Sequence, residues 1–187
     1  AMIDIKGNYI FSGNYFYADS TYNANIESLY YQQVNTATIA GKTVYQGVFR
    51  FDNNVVVNFG RLSSNSLTSD FDYPGFEIKN NTIYSSPDAT RYTGTAGLLN
   101  LTRGQKFLNN RVINQSTAST VYAVTAFGIL STSIDTTTSI GSYMINNLFE
   151  GRGCTFICGS GSWPYNSIAM NNITRANPIV NKRSTAT

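Results

Sequence analysis

The chain has 187 residues, enough for one sizeable core, and a formal net charge of +3 from 13 Lys and Arg against 10 Asp and Glu. Charged residues make up only 12% and form no basic run, which excludes a nucleic-acid footprint, and neither an apolar stretch of membrane-spanning length nor a basic amphipathic helix is found. With no His in the chain a mixed Cys/His zinc site cannot be built, so neither a metal nor another cofactor is expected.

Ala1-Met2 reads as a cloning remnant in front of a fragment of a longer polypeptide. Two similar segments follow, I-K-G-N-Y-I with Asn8 and F-S-G-N-Y-F with Asn14. They lie too close together to be successive coils of a repeat, so one is expected at a corner and the other in a hairpin or edge strand. Residues 1–48 are assigned to N-terminal rungs or edge strands, including one further rung around Ile26 to Ile39 inferred from length. Residues 49–187 are assigned to regular rungs, the whole forming one continuous domain.

The regular part carries five Asn doublets, in F-D-N-N-V-V, I-K-N-N-T-I, F-L-N-N-R-V, M-I-N-N-L-F and A-M-N-N-I-T. Aligned on the second Asn (Asn54, Asn81, Asn110, Asn147, Asn172), an apolar residue stands three positions earlier in every case. Two positions later stand Val56, Ile83, Val112, Phe149 and Thr174. A supersecondary unit recurring every 20 to 50 residues signals a solenoid. The flanks are short and β-rich, with Gly, Ser, Thr and Asn between them. Asn tolerates the left-handed conformation of a tight corner, and stacked corners let side-chain amides bond along the stack as a ladder. The expected fold is therefore all-β, a right-handed parallel β-helix with Asn-ladder corners. The alternative is a sandwich whose doublets mark hairpins, but hairpins favour Asn-Gly and sandwich strands recur every 8 to 12 residues.

The only acidic cluster is S-D-F-D-Y-P-G-F-E, with Asp70, Asp72 and Glu77. On one strand face Asp70 and Asp72 would stand about 6.7 Å apart, compatible with the paired carboxylates of glycoside hydrolysis. Pro74-Gly75 argues equally for a solvated loop. For lyase chemistry Arg91-Tyr92 and Lys106 are available as bases, with nothing to position them. The repeat register makes Asp52 a neighbour of Lys79, and Glu150 a neighbour of Arg175, both readable as exposed ion pairs.

Cys154 and Cys158, in C-T-F-I-C, would lie about 13 Å apart on one strand face, too far for a disulfide, and read as buried thiols. The glycines around them lack phosphate-binding spacing. Trp163, in G-S-G-S-W-P-Y-N, is the only Trp and sits with Tyr165 in a Gly/Ser loop, either as a plug or as a sugar platform. Tyr84 and Tyr92 can extend such a platform, with Glu150 and Arg175 as planar partners for sugar hydroxyls.

From Phe49 to Ile179 the doublets resemble the corners of the right-handed parallel β-helices of the pectate-lyase-like group. The irregular rung length, the Tyr and Asn richness and the low charge are most similar to bacteriophage tailspike proteins. The likeness is one of architecture, since no catalytic motif is matched residue by residue. It implies a homotrimer on an extracellular virion tail that attaches to the host through capsular or lipopolysaccharide glycan; nucleic acid and membrane insertion are not expected on the charge and hydropathy given above. Two functions follow as expectations. One is a tailspike or tail-fibre fragment that binds bacterial surface polysaccharide, with depolymerisation as a glycoside hydrolase or polysaccharide lyase left open. The other is a non-catalytic structural or adhesin section.

Overall fold

The structure is a computed structural model that describes residues 8–19, 48–59, 76–87, 105–115, 143–151 and 168–175. In addition it describes the backbone of strands Ile3–Ile5, Ser28–Gln32, Thr36–Ile39, Lys42–Tyr45, Arg61–Asn65, Asn100–Leu101, Thr125–Ala126, Thr155–Ile157 and Val180–Lys182.

Each of the six fully described stretches holds two short strands separated by an Asn-Asn or Gly-Asn pair. Tyr9–Ser12 and Tyr15–Tyr17 flank Gly13-Asn14, and Phe49–Asp52 and Val55–Phe59 flank Asn53-Asn54. Phe76–Lys79 and Thr82–Ser85 flank Asn80-Asn81, and Lys106–Leu108 and Arg111–Asn114 flank Asn109-Asn110. Tyr143–Ile145 and Leu148–Gly151 flank Asn146-Asn147, and Ile168–Met170 and Ile173–Arg175 flank Asn171-Asn172. The strands before the pair form one six-stranded sheet and those after it form a second, each in chain order and pairing in parallel. Ile3–Ile5, ahead of the first corner, and strands that follow the later ones form a three-stranded parallel sheet with Ser28–Gln32 and Arg61–Asn65, and a four-stranded parallel sheet of Asn100–Leu101, Thr125–Ala126, Thr155–Ile157 and Val180–Lys182. The protein is all-β with parallel strands in stacked sheets, an arrangement consistent with a β-helix or solenoid.

Register shows why the apolar frame recurs. Phe51 lies opposite Ile78, Ile78 opposite Phe107 and Phe107 opposite Met144, while Val56, Ile83, Val112 and Phe149 run in register across the second sheet. All eight are buried. Period-two alternation sends these residues inward, and only the neighbouring coil can cover them. Phe49 stacks on Phe76 with ring centroids 4.3 Å apart, and Phe16 on Phe51 at 5.6 Å. Burial of each such ring contributes about 1.5–3 kcal/mol. An extra residue, Asn58 with φ 65°, bulges the second strand of its coil, so that Ser85 pairs with Phe59 after Tyr84 has paired with Val57. At the same inward position two coils on, Asn114 accepts a hydrogen bond from Ser85 Oγ at 3.1 Å. Gly151 follows, with φ 84°, and a Cβ there would collide with the Asn114 carbonyl oxygen.

The N-terminal expectations divide. Asn14 is at a corner, whereas Asn8 precedes a strand and accepts from the Val48 amide at 2.7 Å. The rung inferred around Ile26 to Ile39 does not lie between the first two coils, because Tyr9–Ser12 pairs directly with Phe49–Asp52 and Tyr15–Tyr17 with Val55–Phe59. That length of chain instead supplies Ser28–Gln32 to the three-stranded sheet and then an antiparallel hairpin of Thr36–Ile39 with Lys42–Tyr45.

The corner explains the doublet. The first Asn of each pair (Asn53, Asn80, Asn109, Asn146, Asn171) is exposed and left-handed, with φ between 54° and 57°, and Gly13 takes that place at φ 70°. The second Asn is buried at Asn54, Asn81, Asn110 and Asn147, and half-buried at Asn172 in the last described coil. Asn110 shows its bonding in full. Its Oδ1 accepts from the Asn81 backbone amide at 3.0 Å and from Asn81 Nδ2 at 2.9 Å. Its Nδ2 donates to the Ile78 carbonyl at 2.9 Å and to Asn147 Oδ1 at 3.2 Å. Both donors and both acceptor sites of the amide are engaged. The same contacts join Asn14 to Asn54, Asn54 to Asn81 and Asn147 to Asn172. Tolerance of the left-handed region therefore belongs to the first Asn and the inter-coil bonds to the second, a division that doublet spacing alone does not reveal.

This division predicts opposite outcomes at adjacent positions. Asn109→Gly should change stability by less than about 0.5 kcal/mol, since Gly adopts the left-handed region freely. Asn110→Ala should cost about 3 kcal/mol or more, because it strands the Asn81 donors and the Ile78 carbonyl in a buried site. Thermal melts of the two variants compare them directly; equal losses would refute the assignment.

Candidate functional site

Because alternate residues of each strand point outward, the two large sheets present continuous rows of side chains at the surface. On the second sheet one row reads Tyr17, Val57, Tyr84, Ile113, Glu150 and Arg175, in register from coil to coil. Three residues singled out for carbohydrate binding, Tyr84, Glu150 and Arg175, thus share one line on one face. The row spans about 24 Å at one step of about 4.8 Å per coil. Tyr17 and Tyr15 stand more than half exposed at its N-terminal end.

Glu150 and Arg175 pair as the register suggests, Arg175 Nη1 lying 3.1 Å from Glu150 Oε1. A second guanidinium, unnoticed in the sequence, joins them. Arg111, two residues nearer the corner on the preceding coil, reaches Glu150 Oε2 with Nε at 2.9 Å and Nη2 at 2.7 Å. The signal for Arg111 is a diagonal one, since it requires the strand register as well as the repeat. The Arg111 hydrogen bond, outweighing the effect of burial, and the charges of Arg111 and Arg175 hold the Glu150 carboxyl below its ordinary value of 4.5.

Glu77 is the one described member of the proposed catalytic trio; Asp70 and Asp72 lie outside the described residues. It sits on the outer face of the first sheet, opposite Arg50 on one side and Lys106 on the other. Lys106 Nζ is 3.1 Å from its Oε1, and Lys79, on its own strand, is 3.7 Å from its Oε2. Burial pushes this carboxyl up, but the Lys106 hydrogen bond and the charges of Lys106, Lys79 and Arg50 outweigh burial and hold it below 4.5. An ionised Glu suits a base or nucleophile rather than a proton donor. The expected partnership of Asp52 with Lys79 is reached only in backbone register, because the Lys79 ammonium turns to Glu77 instead. Asp52 Oδ1 is buried without a hydrogen-bond partner. Asp52 lies diagonally across from Glu77, about 7–8 Å away between Cα atoms.

Trp163, Tyr165 and Tyr92, the remaining sugar-binding candidates, also lie outside the described residues, as do Cys154 and Cys158 on either side of strand Thr155–Ile157. Among the described residues no cluster of three His, Cys, Asp or Glu could hold a metal ion.

The two glutamates set an acid limit on stability. Each ionises more readily in the folded state than in the unfolded one, so its contribution is present above 4.5 and is lost as pH falls through the lowered folded value. Melting temperature measured from pH 6 to pH 3 should fall more steeply for the parent chain than for the Glu77→Gln, Glu150→Gln double variant; parallel curves would contradict the assignment. No protein-family model, curated protein or solved structure matches the chain.

Proposed function

We propose that this chain is a section of a right-handed parallel β-helix with an Asn ladder, and that it binds bacterial surface polysaccharide as part of a bacteriophage tailspike or tail fibre. The observation that carries this reading is the second sheet's outer row. It combines the exposed ring of Tyr17 and the half-buried ring of Tyr84 with the planar groups of Glu150 and Arg175, and Arg111 in the adjacent outer row reaches the same carboxylate. A pyranose packs its apolar face on an aromatic ring while its hydroxyls bond to planar polar side chains. Hydrogen-bonded strands keep both kinds of group at fixed spacing, which limits the ordering cost of binding an extended polymer.

Attachment to the host places the protein on the outside of a virion tail, as a homotrimer. Apolar side chains flank the corner in the last coils, with Met170 and Ile173 at least half exposed. Exposed apolar side chains of this kind suit burial against a neighbouring subunit. Sedimentation should give a trimer at micromolar concentration, and a monomer would count against this part of the reading.

The deciding experiment incubates the protein with a panel of capsular and O-antigen polysaccharides, reading binding together with reducing ends and unsaturated products. Binding without turnover is the expected outcome, and Tyr84→Ala should weaken it by about 1–3 kcal/mol. A second reading, depolymerisation, is favoured by the ionised Glu77 on the neighbouring face. Under that reading products accumulate, and Glu77→Gln should abolish them by 100-fold or more while binding survives. Failure of every polysaccharide to bind would remove both readings and leave a structural or adhesin role.

A further inference from the structure

We propose that the polymer bound along the second sheet is an acidic polysaccharide, with its carboxylate groups meeting Arg111 and Arg175; this rests on the glycan-binding reading above. Glu150 balances one of the two guanidinium charges. Its Oε2 takes Nε and Nη2 of Arg111, and its Oε1 takes Nη1 of Arg175. One positive charge is left over, together with N–H donors on both arginines that Glu150 does not engage. The exposed side chains of Arg111 and Arg175, at 50% and 69%, carry those donors.

Glu150 has a second effect. By bonding both guanidinium groups it restrains two long side chains before any ligand arrives, reducing the rotamer freedom that binding would otherwise remove. Free arginine forks match a carboxylate in geometry as well as charge. The surplus is not confined to this pair. On the strands of the two large sheets five cations, Arg50, Lys79, Lys106, Arg111 and Arg175, stand against three carboxylates, Asp52, Glu77 and Glu150. A neutral polymer would leave that surplus unused. The rings of Tyr84 and Tyr17 in the same register row limit the choice among anions, because they favour a chain of pyranose rings bearing charge over a bare polyanion.

The test compares polygalacturonate with the same polymer after carboxyl reduction, and adds alginate, dextran and a DNA oligonucleotide, by isothermal titration at 50 and 500 mM NaCl. Polygalacturonate or alginate should bind, roughly tenfold more weakly at high salt, and the carboxyl-reduced polymer and dextran should not. Arg175→Gln and Arg111→Gln should each weaken acidic-polymer binding by roughly fivefold to tenfold, and Tyr84→Ala should weaken it without altering the salt dependence. Equal binding of the reduced and unreduced polymers, or no effect of either arginine change, would overturn the acidic preference while leaving glycan binding intact. Equal binding of DNA with no effect of Tyr84→Ala would show a charge-only surface and overturn both. Absence of binding to every polymer would overturn the acidic-polymer proposal, while the capsular and O-antigen panel decides glycan binding separately.

Discussion

A buried primary amide that must satisfy two donors and two acceptors is the constraint on which the rest of the molecule depends. Asn147 meets it by taking two hydrogen bonds at Oδ1 from Asn110 and giving two from Nδ2, one back to the Phe107 carbonyl and one forward to Asn172. Asp in that place would bury a charge and lose the donors, and Gln would put its amide one methylene too far out. Serine or threonine could not make these four bonds to the coils before and after it. Each coil is therefore fixed to the coils before and after it at one point, and strand register, inward apolar rows and outward rows all follow from that point.

None of these bonds is local. The amide contacts join residues 25 to 43 apart, so chain must be closed into a loop before any of them forms, at an entropic cost that rises only slowly with loop length. A single coil would expose its own apolar row on both sides. Stability is then close to a sum over coils and their interfaces, as in other one-dimensional stacks. The Phe49–Phe76 stack and the Ser85–Asn114 pair belong to these interfaces, since each joins one coil to the next.

The parts of this arrangement legible in the sequence are those where two physical demands fall on neighbouring positions. A left-handed corner and a buried amide select Asn twice in a row, and a residue such as Phe107 or Val112 must alternate inward on either side. The division of labour within the doublet was not read, because both demands select the same residue type; the exception is Gly13, which meets only the first. Strands such as Asn100–Leu101 and Thr125–Ala126 are too short for any period to register. The hairpin at Thr36–Ile39 and Lys42–Tyr45 interrupts the repeat with antiparallel pairing that the corner frame does not encode. Of the outward residues, Glu150 and Arg175 were visible because they occupy one repeat position, and Arg111 was not because its contact crosses the register.

The intervals between corner amides vary from 25 to 40 residues while the pairing of the strands beside them does not change. Apart from the one-residue bulge at Asn58, the difference is taken up between the end of one second-sheet strand and the start of the next coil. Segments there can lengthen, shorten or be exchanged without disturbing a corner bond or shifting a side chain on the two large sheets. The scaffold thus separates what must stay constant from what can vary, and sequence change can accumulate in the connecting segments while the sheet faces are inherited unchanged.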